Sequence, residues 1–135
     1  MDEAAVRLEF GQGFAGVLRG GSAEVPVGQG GGLRPYELLL GALGSCFYST
    51  FLGIAAKMRL EYDSARVDVR GVKRDEVPTT LKDAWLTFTV KGARDQKGFQ
   101  RAAELAAKYC SVHETLSKVA DIRLDVAFEE GGPAA

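Results

Sequence analysis

From Leu38 to Ala56 the chain runs 19 residues without a charge, and any fold it adopts must take that stretch out of water. The length is close to the roughly 20 residues of a bilayer-spanning helix. Gly41, Gly44, Ser45, Cys46, Tyr48, Ser49, Thr50 and Gly53 dilute its hydrophobicity, however, and no basic cluster flanks either end, whereas membrane spans are typically more apolar and anchored by such clusters. The reading is therefore a buried central helix from about Tyr36 to Met58, with Pro35 suited to its first turn. Gly41, Ser45, Ser49 and Gly53 recur at every fourth position of it. Such a stripe of small side chains admits the close approach of another helix. Two partners fit: the segment from Phe99 to Cys110, or the same helix in a second copy of the chain.

Around this helix the pattern changes to period two. Val6, Leu8 and Phe10 alternate with Arg7 and Glu9, and after Gly11-Gln12-Gly13 a second strand runs from Phe14 to Arg19, an N-terminal hairpin. Beyond the helix, Val67 and Val69 alternate with charged residues. After a Pro-Thr-Thr turn at Pro78, Leu86, Phe88 and Val90 share one side of a further strand. Phe99, Ala103, Ala106 and Cys110 fall at i, i+4, i+7 and i+11, one face of a second helix. Ser111 with Glu114 three residues on is a capping-box signature, so a short third helix is expected directly after Cys110. Ile122, Leu124, Val126 and Phe128 alternate as a last strand. The order ββ-α-ββ-αα-β gives an α+β class, with strands largely antiparallel. One domain over 1–130 and a flexible tail over 131–135 are expected for a chain of 135 residues.

The remaining sequence excludes more than it proposes. Lysine plus arginine number 17 against 18 acidic residues, with no run of five like charges, so neither nucleic acid nor an anionic membrane is expected as a partner. The glycines from Gly28 to Gly32 follow neither phosphate-loop nor dinucleotide spacing, and read as a connector. Met1-Asp2-Glu3 does not begin a secretory signal, so a cytoplasmic location is expected.

Two cysteines, Cys46 and Cys110, lie 64 residues apart in separate helical segments, so the fold decides whether their sulfurs meet. In a reducing compartment such a pair reads as buried thiols, a redox couple or metal ligands. Metal is disfavoured: with His113 they supply three zinc ligands, and a fourth is not evident. Cys46 sits mid-helix, where activation has to come from a cation or from donors brought by the fold. Cys110 precedes a helix N-terminus, so local physics favours its thiolate.

Arg34-Pro35-Tyr36-Glu37-Leu38-Leu39-Leu40-Gly41-Ala42-Leu43-Gly44-Ser45-Cys46 resembles the Pro-x-Glu-Leu-Leu-x-x-Ala-Leu-x-x-Cys signature of OsmC-like proteins, a family that includes the organic-hydroperoxide-resistance (Ohr) branch. Ala107 to Leu116 resembles their second cysteine block. The resemblance spans about Val6 to Phe128. It implies an OsmC-like fold with antiparallel sheets on a long central helix, and an intertwined homodimer with its sites at the interface. It also implies a thiol-dependent peroxidase for organic hydroperoxides, reduced by a dithiol or other thiol and needing no metal or organic cofactor. On this reading Cys46 attacks the peroxide and Cys110 closes a disulfide with it; Glu37 either enters the site from the neighbouring subunit or serves as a first-turn acid stabilising the helix dipole. The alternative on the same scaffold is a non-catalytic protein whose pocket, lined by Leu39, Leu43, Phe47 and Phe51, holds a small apolar or thiol ligand.

The chain departs from the Ohr pattern in two places. The position ten residues before the first cysteine is Tyr36, with the carboxylate one place later at Glu37. The Gly11-Gln12-Gly13 turn has no arginine, which leaves Arg19 and Arg34 as substitutes. Within one helix, Glu37 and Cys46 stand roughly 13 Å and half a turn apart.

Overall fold

A computed structural model describes residues 2–132. Of the tail expected over 131–135, residues 133–135 lie outside the described ones. Among the described residues the elements run β1 (Arg7–Phe10), β2 (Ala15–Gly20), β3 (Ala23–Gly28), α1 (Pro35–Lys57), β4 (Ser64–Lys73), β5 (Leu81–Lys91), α2 (Gln96–Tyr109), α3 (Ser111–Ser117) and β6 (Asp121–Glu129). The chain separates into two compact units, up to Leu39 and from Leu40 onward.

The first unit is an antiparallel sheet in the order β1-β2-β3. The expected hairpin is its first two strands. The third is not evident from the sequence, because Pro26 and Gly28 punctuate Ala23–Gly28 like a loop. An edge strand tolerates proline, and β3 lies at the edge. Arg19 bridges two neighbouring strands' carboxylates, with its guanidinium 2.7 Å from Glu9 and 2.9 Å from Glu24. In the first turn of α1 the Glu37 carboxylate accepts a hydrogen bond from the Arg34 backbone N–H at 2.8 Å. That is the reciprocal bond of a capping box, satisfying one of the free donors at the helix start.

In the second unit β5 is the middle strand of the sheet β4-β5-β6. Alternation puts Leu86, Phe88 and Val90 on its inner face, paired with Val69, Val67 and Ala65 of β4 and with Leu124, Val126 and Phe128 of β6. All three β5 residues are fully buried. The β4–β5 pair is antiparallel as expected, but β5 and β6 run parallel. The connection explains this: α2 and α3 carry the chain back to the end where β5 began, the crossover that a parallel pair requires.

α1 is long and apolar enough to cross a bilayer. One face of it packs into the core, burying Leu43, Gly44, Phe47, Phe51 and Ala55. Phe51 is a hub whose ring centroid lies 4.7 Å from that of Phe88 and 5.9 Å from that of Phe99. Gly44 lets the helix close on β4: a methyl there would lie 2.9 Å from Val69 Cγ2 and 3.5 Å from Val67 Cγ1. α2 buries Phe99, Ala102, Ala103 and Ala106, and the full burial of Cys110 continues that face. The stripe Gly41, Ser45, Ser49 and Gly53 is exposed. Nothing lies within 4 Å of a methyl built at Gly41 or Gly53, so α2, whose Phe99 meets α1 through Phe51, does not fill the stripe.

Candidate thiol site

α2 ends at Cys110, whose backbone N–H donates to the Ala106 carbonyl at 2.9 Å, and α3 begins there, with the Glu114 N–H donating to the Cys110 carbonyl at 3.0 Å. One residue thus closes one helix and opens the next. Its extended backbone makes it the N-cap of α3, and its sulfur accepts from the His113 N–H at 3.4 Å. Ser111, expected to be the cap, is instead the first helical residue. Glu114 pairs with Lys118 at 2.8 Å rather than reaching back to complete a capping box.

The junction delivers Cys110 to Cys46. The two thiols are free, and each shifts the ionisation of the other. Ser111 Oγ lies 3.7 Å from Cys46 Sγ. Cys46 is half-buried and Cys110 has no exposed surface.

Electrostatics separate the pair. Burial pushes the Cys46 thiol up, but the Val112 N–H, the Cys110 thiol, and the hydroxyl and N–H of Ser111 together hold it below its ordinary range. Burial pushes the Cys110 thiol up as well. The His113 N–H opposes that, but the Cys46 charge adds to it, and Cys110 stays above the ordinary range. The ranking is the reverse of the one expected from local sequence. Sequence order assigns the donors at the start of α3 to the residue before them, whereas the Ser111 and Val112 N–H groups also favour ionisation of a sulfur from another helix. Expecting the two cysteines to be neighbours is signal enough to consider that sharing.

The other expected site residues fall elsewhere. Leu43 and Phe47 are fully buried, Phe47 with its ring 5.2 Å from that of Phe88, so both are core residues with no surface for a ligand. Phe51 is the same. Leu39 is half-buried in the first unit. Glu37 is engaged in capping α1, and Arg19 is neutralised by Glu9 and Glu24. Among the described residues no group of three or more His, Cys, Asp or Glu side chains is placed to hold a metal ion.

A family model described as OsmC-like protein matches residues 28–125. Protein YhfA of Escherichia coli K12 is 32% identical over 125 residues, covering 89% of this chain and 92% of that protein. An OsmC like protein from Mycoplasma pneumoniae superposes with a TM-score of 0.85 at 14% identity, covering 95% of this chain and 98% of the other. The organic hydroperoxide resistance protein OhrB of Bacillus subtilis does so with a TM-score of 0.65 at 20% identity, covering 93% and 98%.

Proposed function

The chain belongs to the OsmC-like protein family, and from that membership we propose that it is a thiol-dependent peroxidase reducing organic hydroperoxides by a two-cysteine mechanism. The observation that carries the reading is the pairing of a half-exposed Cys46, held toward thiolate, with a buried Cys110 that stays protonated. The Cys46 thiolate attacks the terminal oxygen of ROOH. An S–O bond forms, the O–O bond breaks, sulfur gives up two electrons, and the departing alkoxide takes a proton to become the alcohol. The Cys110 thiol then condenses with the sulfenic acid, releasing water and leaving a disulfide. A dithiol or other thiol returns the pair to the reduced state by exchange. A reducing, cytoplasmic setting fits free thiols of this kind.

The same reading includes a homodimer. The exposed small-residue stripe of α1, with Leu52 beside it 45% exposed, supplies a self-complementary surface for a second copy. The ligand-binding alternative loses support because Leu43, Phe47 and Phe51, its expected pocket wall, are spent on the core.

The test is consumption of cumene hydroperoxide with dithiothreitol as reductant. Wild type is expected to turn over, and Cys46→Ser to fall to the uncatalysed rate. Equal rates for the two would reject the reading. Under peroxide without reductant, Cys110→Ser is expected to accumulate sulfinic acid on Cys46, which mass spectrometry detects.

A further inference from the structure

We propose that Ser111 is a further catalytic residue, whose hydroxyl is the side-chain donor that holds the Cys46 thiolate. The inference takes Cys46 as the nucleophile and in that respect rests on the peroxidase reading. It begins from the 3.7 Å contact between Ser111 Oγ and Cys46 Sγ. A serine hydroxyl both donates and accepts, but a thiolate only accepts, so once Cys46 ionises the direction is fixed: oxygen donates and sulfur receives.

That the hydroxyl is free for this task stems from the α2–α3 junction. A serine before a short helix ordinarily spends its oxygen on the backbone N–H groups of the first turn. Here the Cys110 sulfur takes that place, accepting from His113 N–H, and Glu114, which would complete a box with Ser111, is held by Lys118. Ser111 is moved one position into the helix and its side chain turns to the sulfur of α1. The junction is fixed on both sides by the Cys110 N–H to Ala106 and Glu114 N–H to Cys110 bonds, so the oxygen is presented from a rigid base. The Val112 and Ser111 N–H groups act on the same sulfur and, in concert with the hydroxyl, favour its ionised form. The cation that the sequence lacks at the N-terminal turn is thereby answered with neutral donors.

The experiment tracks the pH dependence of Cys46 alkylation by iodoacetamide, assigned at peptide level, in wild type, Ser111→Ala and Ser111→Thr, with cumene hydroperoxide turnover in parallel. A hydrogen bond to a charged group is worth enough that losing it slows alkylation at low pH by about tenfold. Ser111→Ala is expected to move the whole profile to higher pH by that factor, and Ser111→Thr, which keeps the hydroxyl, to restore it. A Ser111→Ala profile coincident with wild type, or equal displacement in both variants, would overturn the proposal. The peroxidase reading fails differently: wild type then consumes no hydroperoxide, while the alanine shift and its threonine rescue persist and uphold the role of Ser111.

Discussion

Gly44→Ala tests the packing on which the position of Cys46 depends. On propensity alone the change is favourable, since alanine in a helix interior is better than glycine by about 1 kcal/mol. Against it stands the 2.9 Å approach of the new methyl to Val69 Cγ2. Valine is branched at Cβ and stiff about χ1, and here it stands on a strand paired through Val69 to fully buried Leu86. It does not swing aside as the end of a lysine would, so the helix has to lift from the sheet. Overpacking of this kind costs about 1–3 kcal/mol, which leaves a net loss of up to about 2 kcal/mol. Val69→Ala, removing two methyl groups from a half-buried position, costs about 1 kcal/mol by itself. Because it removes the atom the methyl strikes, the double variant should recover the overpacking term. A double-mutant cycle by urea denaturation is therefore expected to give about 1–3 kcal/mol of favourable coupling. Alkylation of Cys46, two residues along the same helix, should slow in Gly44→Ala and recover in the double variant. Additivity of the two substitutions to within about 0.5 kcal/mol would refute the reasoning.

Two further outcomes are expected. Burial and the hydrogen bond with Tyr48 push the Tyr62 hydroxyl up to about 12 from 10. The folded-state value is raised, so the stabilisation is complete below pH 10 and lost as pH rises toward 12. After allowance for solvent screening of a half-buried group the loss is about 1–2 kcal/mol, and urea midpoints compared at pH 9 and pH 11 should show it in wild type and not in Tyr62→Phe. Gly41→Ala and Gly53→Ala meet no atom within 4 Å in a single chain, so each should stabilise an isolated chain by about 1 kcal/mol. In a dimer joined through that stripe the same methyl groups should instead weaken self-association, which sedimentation velocity over a concentration series would detect; undiminished association would reject this interface.

Where one physical signal acts alone, the sequence is a sufficient guide to the fold. The alternation in β4, β5 and β6 allows only one face toward the core, because a slip of one residue would turn Phe88 and Val90 out to water. α1 is legible because a long uncharged stretch flanked by strand patterns reads as a helix with one face in the core. β3 is not, because Pro26 and Gly28 speak against a strand in general, and only knowledge that the strand is at an edge removes the objection. The direction of β6 escapes the pattern because alternation carries no sense of direction. The connection does carry it, since two helices between β5 and β6 are the length of a crossover and far more than a hairpin needs.

The site is legible as a pair of residues and illegible as a set of energies. Phe99, Ala103, Ala106 and Cys110 fall on one face, and a capping signature stands directly after, which places Cys110 at a buried helix junction. Local sequence ties its acidity to the helix that begins at Ser111, yet ionisation answers to the groups that surround a sulfur in space. Cys110 is sealed from solvent and is favoured as thiolate only by the His113 and Val112 N–H groups, while Cys46 keeps contact with solvent and gathers two amides, a hydroxyl and a thiol. The same few donors at the head of a seven-residue helix are divided between two sulfurs, and the division goes against the one nearer in sequence. Charge on one thiol also discourages charge on the other, so a small advantage to Cys46 is widened by the ionisation it permits. Which cysteine ionises more readily is thus decided by the docking of α1 against the α2–α3 junction, a long-range contact that no local pattern in either motif encodes.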